Sequence, residues 1–257
     1  MVRCHIGQIG ENAITLDSGN AGKLEPGNSV VEDCHIHHWG YHQRVYRYAI
    51  RLSENSCGNR IVRSVLHDSP HCAILLAGND NVIEYNRMHD VVLEFTDMGA
   101  VSGNTGANPL SRGNIVRQNY FHDIGRVPFA HGMVPVYPDW GTMGWTVEQN
   151  VFARIGQREG EMLPCDSILV NSGPHIIMRN NVFVDCAIPL RYSSYTGKTG
   201  MTVLTNAWKR NFPEAEMAQF SLHLARYPEL NNFYQEPRQF PTTSLWAQNL
   251  VVNSDRK

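Results

Sequence analysis

"NVIEYNRMHDVV" runs from Asn81 to Val92, and "NIVRQNYFHDIG" runs from Asn114 to Gly125. Both read Asn, two apolar residues, two polar residues, Asn, one residue, an apolar residue, then His-Asp. Taking the second Asn as an anchor extends the frame along the chain. Anchors fall at Cys4, Cys34, Ser64, Asn86, Asn119, Asn150, Asn181 and Asn249, with spacings of 30, 30, 22, 33, 31, 31 and 68 residues. Two residues after each anchor stands Ile6, Ile36, Leu66, Met88, Phe121, Phe152, Phe183 or Val251. Three before it, from the second anchor on, stands Val31, Ile61, Ile83, Val116, Val147, Met178 or Trp246. Two apolar columns kept in register over so many repeats mark a solenoid.

The shortest spacing holds two or three short strands and their turns. Such a coil cannot bury its apolar row alone, whereas stacked coils bury it continuously. The expected fold is all-β, a right-handed parallel β-helix of about seven to eight coils, with same-column residues about 4.8 Å apart. An Asn at a sharp corner tolerates left-handed backbone and can bond to its counterpart one coil away. Extra residues fall after Trp39, Gly103, Gly125 and Gly156, and the longest excursion separates Asn181 from Asn249. Residues 191–243 are read as an insertion, helical near 206–232, in which "EAEMAQFSLHLARYPEL" (Glu214–Leu230) forms one amphipathic helix stopped by Pro228. The β-helix domain takes in 1–257. No cap precedes the first coil, and solenoid ends need one. The expectation is a fragment, or the C-terminal part, of a longer protein with an upstream domain.

Composition narrows the functions. A formal net charge of −2 gives no basic footprint for nucleic acid. No apolar run is long enough for a membrane span, and "MVRCHIGQIG" has no apolar core of a signal peptide. The six cysteines form no CxxC and read as buried thiols, with a Cys57–Cys72 disulfide left open. No HExxH occurs, and "HIHH" (His35–His38) lacks a partner at fixed spacing, so neither a metal nor another cofactor is expected.

His37, His67, His89 and His122 share one register position, and Asp68, Asp90, Asp123 and Asp185 share the next. Periodic residues belong first to the scaffold, as turn formers and stacking ladders. Residues that break the period are better candidates for chemistry. Asp97 precedes "GAVS", and Asp139 follows "PVY" beside Tyr137, Trp140 and Trp145. Aromatic faces next to carboxylates suit sugar rings, and two carboxylates flanking a glycosidic bond can act as acid and as base or nucleophile. Asp97 and Asp139 are the catalytic candidates, with Asp166, His131 and Glu94 as secondary ones. Tyr137, Trp140, Trp145 and Arg112 are candidate substrate contacts. If the two segments are stacked strands, Asp97 and Asp139 lie at opposite ends, about 10 Å or more apart at about 3.3 Å per residue. That spacing favours inversion; Asp97 with Asp166 is the rival pair.

"TDMGAVSG", "SRGNIVRQNYFHDIG", "VYPDWGTMGWTVEQNVFARIG" and "NNVFVDC" resemble motifs of bacterial right-handed β-helix proteins related to glycoside hydrolase family 141, of the pectin-lyase-like superfamily. "SLHLARYPEL" resembles the helical insertion those proteins carry. The likeness spans about Asn28 to Asn253. It implies a secreted or periplasmic carbohydrate-active enzyme that degrades plant polysaccharide with paired Asp residues, and its motifs fall on Asp97 and Asp139. Trp140 stands where the family has a second Asp, and Val101-Ser102 where it has Ile-Tyr. The alternatives are a polysaccharide lyase, for which Arg112 or Arg126 would supply the base, and a non-catalytic glycan-binding or structural β-helix.

Overall fold

The computed structural model describes the chain apart from residues 106–107, 127–131, 159–160, 194–196, 236–242 and 255–257. It is mostly β, organised as three large parallel sheets through which the chain passes in fixed rotation. The eight-stranded first sheet begins His5–Gly7, His35–His37, Val65–Ser69 and ends Val182–Val184, Leu250–Val252. The seven-stranded second sheet runs from Ile14–Leu16 through Met98–Asn104, Met133–Asp139 and Asp166–Asn171 to Ile188–Ser193. The third, also seven-stranded, runs from Val30–Glu32 to Leu245–Ala247. Within each sheet, neighbouring strands come from successive circuits of the chain.

Both apolar columns are strand registers. Ile36 pairs with Leu66, Met88 with Phe121, and Phe152 with Phe183 in the first sheet. Ile61, Ile83, Val116 and Val147 align in the third. These side chains point inward and form one buried core. Phe121, Phe152 and Phe183 stack in it with centroids 5.1 and 4.8 Å apart.

The anchors form a hydrogen-bonded ladder. The backbone N–H of Asn86 donates to Asn119 Oδ1 at 2.9 Å, that of Asn119 to Asn150, that of Asn150 to Asn181, and that of Asn181 to Asn249. Ser64 Oγ takes the same place for Cys34 N–H. The first Asn of the frame makes a second ladder, Asn59 to Asn81 to Asn114. One expectation needs correcting. The left-handed residue is the one before the anchor: Arg3, Asp33, Arg63, Tyr85, Gln118, Gln149, Asn180 and Gln248 have φ between 50° and 58°. The anchor itself is chosen for its amide, which satisfies the corner's buried N–H groups.

The His-Asp column is also scaffold. Rings of His67, His89 and His122 stack at 4.9 and 4.6 Å. Each holds the next residue's carboxylate through Nδ1, at 2.7, 2.8 and 2.6 Å. Asp68, Asp90, Asp123 and Asp185 turn the chain with φ between 47° and 54°. Arg154, bonded to Asp123, chiefly holds that carboxyl down at about 2.

The insertion is helical, but not as one amphipathic helix. Its longest helix is Gly197–Asn211, and Glu214–Leu230 splits into the 3-10 turn Glu214–Phe220, the short helix Ser221–Arg226 and a second 3-10 turn, Pro228–Asn232. Their apolar residues cannot keep one helical stripe, because the chain bends to cover the sheet corner. Leu204, Trp208, Leu230 and Phe233 pack there on Leu110 and Met143. All six cysteines are free thiols, so Cys57 and Cys72 are not joined. No helix among the described residues is long and apolar enough to cross a membrane.

Candidate active site

Asp97, Tyr137 and Asp139 come together on the second sheet. Strands Met98–Asn104 and Met133–Asp139 are neighbours, with Ser102 opposite Tyr137 and Asn104 opposite Asp139. Strand counting alone would keep Asp97 far from Asp139. At Gly99 the backbone is packed so closely that a Cβ would lie 2.7 Å from Tyr137 Cβ and 2.9 Å from Val101 O, so glycine fits there and a larger residue does not. Asp97, with φ 60°, is carried to the Tyr137 ring, and the phenol donates to Asp97 Oδ1 at 2.9 Å. Asp139 lies near both groups, close enough for the Asp97 charge and the phenol to act on its carboxyl. Asp97 and Asp139 are thus grouped about the Tyr137 side chain, with the phenol bonded to Asp97.

The two carboxylates sit in unlike surroundings. Asp97 is exposed and Asp139 half-buried. Asp139 Oδ1 accepts from Asn171 Nδ2 at 2.8 Å and from Trp140 N–H at 2.6 Å. With both donors on Oδ1, a proton on the acid form belongs on Oδ2. Burial first, and the nearby Asp97 charge, push the Asp139 pKa up, against the pull of those donors. Burial and the two carboxylates also keep the Tyr137 phenol protonated. A pair whose environments separate its members is how one fold obtains an acid and a base.

The other candidates lie elsewhere. Asp166 is buried and its Oδ1 is held by Arg191 Nε at 2.9 Å. Glu94 forms an exposed ion pair with Arg44 beside His38 and Trp39. His131 lies outside the described residues. Trp140 is half-buried against the insertion's apolar cluster. Two expected substrate contacts are corrected. Trp145 is wholly buried in the core and offers no face to a sugar. Arg112 is also wholly buried, donating to Pro109 O and pairing with Glu229 of the insertion at 3.0 Å, so it ties the insertion to the sheets. Sequence reading missed Asn171 and Gly99. Asn171 ends "DSILVN", the strand that stacks on Asp139's, and that register was its signal.

No family model, no curated protein and no solved structure matches this chain.

Proposed function

We propose that this chain is a right-handed parallel β-helix related to glycoside hydrolase family 141, acting outside the cytoplasm on plant-type polysaccharide. The fixed rotation through three parallel sheets supports the β-helix, and parallel crossovers are almost always right-handed. The observation that carries the activity is an exposed and a half-buried carboxylate grouped about Tyr137, whose hydroxyl is bonded to Asp97. Asp139, protonated, gives its proton to the leaving glycosidic oxygen. Asp97 either activates a water or attacks the anomeric carbon.

Two observations weigh against the lyase. Arg112 is buried and paired with Glu229, and Arg126 is paired with Asp90. The test is a panel of xylans and pectins read for new reducing ends and for absorbance from unsaturated sugars. Reducing ends without unsaturation are the expected result. Unsaturated products would replace this reading with a lyase, and glycan binding with no cleavage would replace it with a binding module.

A further inference from the structure

The start of the chain places a second chemistry on the first sheet. His5 follows the first anchor, and His35 and His37 flank Ile36 in the next circuit, so the register sets His5 opposite His35 and Gly7 opposite His37. The rings of His5 and His35 stack at 4.8 Å, nearly parallel, and His37 is tilted by 43° and 45° to them at 4.9 and 5.0 Å. Gly7 makes room for this: a Cβ there would lie 2.5 Å from the His37 ring. His5 Nε2 and His37 Nε2 are 2.7 Å apart. Two lone pairs cannot face each other at that distance, so one proton lies between them. Moving it to the other nitrogen of its ring leaves two imidazole lone pairs facing one gap.

One potential ligand nitrogen from each of the three rings lies within 4.8 Å of the other two. Around a tetrahedral ion with metal–nitrogen bonds of about 2.1 Å, ligand nitrogens stand roughly 3.4 Å apart. Ring rotations of about an ångström close that difference, and exposed or half-buried rings have room for them. Outer partners are already built in. His35 Nε2 meets His67 Nε2 at 2.5 Å, and His67 is held by Asp68. His37 Nδ1 meets His38 Nδ1 at 2.7 Å. Partners of this kind orient metal-binding imidazoles. Among the described residues this is the one group of three or more His, Cys, Asp or Glu side chains that converges so closely.

We propose that His5, His35 and His37 bind one borderline divalent transition-metal ion, such as Zn²⁺ or Ni²⁺, with water completing the coordination. Imidazole suits these ions, and an all-nitrogen set disfavours Mg²⁺ and Ca²⁺. The ion takes the place of the proton between His5 and His37, which moves to the other nitrogen of its own ring, so that both imidazoles ligate in the neutral form. It clips the first circuit of the chain to the second. The site is separate from the Asp97–Asp139 pair and does not depend on its reading.

Calorimetric titration of chelator-treated full-length chain with Zn²⁺ tests this, alongside His5→Ala, His37→Ala and, as a control, the exposed His42→Ala. One ion per chain is expected. Each of the first two variants should weaken binding by at least about tenfold, with His42→Ala unchanged. Co²⁺ should give the visible absorption of a nitrogen-ligated ion, lost in the same two variants. No binding of Zn²⁺, or binding unaffected by His5→Ala and His37→Ala, would overturn the assignment. Circular dichroism of the two variants confirms that they remain folded, so loss of binding reports the ligands.

Discussion

Asp139→Asn should lower glycosidic cleavage by about 10²- to 10⁴-fold, the range for removing a general acid. The fold should hardly notice. An amide oxygen still accepts from Asn171 and Trp140 as Oδ1 does now, so the thermal midpoint should move by less than about 4 °C, equivalent to roughly 1 kcal/mol in a domain of this size. Asp97→Asn should lose a comparable amount of activity, since its amide oxygen keeps the Tyr137 bond but supplies neither base nor nucleophile. The measurement is initial rate on whichever polysaccharide gives reducing ends, with melting curves of the same preparations. A large fall in midpoint for either variant would mark that carboxylate as structural.

Asn119→Leu should destabilise the chain by about 2–4 kcal/mol. Asn119 is 2% exposed. Its Oδ1 accepts from Asn86 N–H and Nδ2, and its Nδ2 donates to Ile83 O and Asn150 Oδ1. A leucine of similar size removes all four and leaves the Asn86 N–H buried without an acceptor. That orphan alone costs about 1–3 kcal/mol, and lost neutral hydrogen bonds add about 1 kcal/mol each before relaxation. Asn119→Ser should cost less, because the chain already uses Ser64 Oγ as the acceptor for Cys34 N–H in this ladder. Urea unfolding of the three proteins gives the order. Equal stability of Asn119→Leu and the native chain would mean the ladder contributes shape without energy.

The scaffold was legible because its chemistry repeats. Each circuit needs an inward apolar residue on two sheets, and from Asn86 on each places an amide at the corner, so the same residue types recur at the same register. The His-Asp pairs were read as scaffold for that reason, and their stacked rings bear it out. Trp145 was misread, although the register held the answer. It precedes Thr146, which pairs with Ile115, which pairs with Val82. Trp145 therefore continues the inward column of Asn81 and Asn114, and is buried as they are. Arg112 was harder, because its partner Glu229 lies 117 residues away in the insertion. The contact between Asp97 and Tyr137 depends on the turn at Asp97, with φ 60°, and on the length of the phenol side chain. An assumed rise per residue cannot supply either. His5 was overlooked as a partner of "HIHH" for a simpler reason: its spacing of 30 residues is the repeat itself, not a local motif.

The most direct test of the paired site needs no substrate. Carboxyl-carbon NMR of the native chain, with Asp139 assigned through Asp139→Asn, follows its titration with pH. Asp139 should titrate above the ordinary aspartate value of 3.8, and Asp97→Asn should lower that midpoint by removing the neighbouring charge. A midpoint at or below 3.8 in the native chain, or one indifferent to Asp97→Asn, would contradict a coupled acid and base at this site.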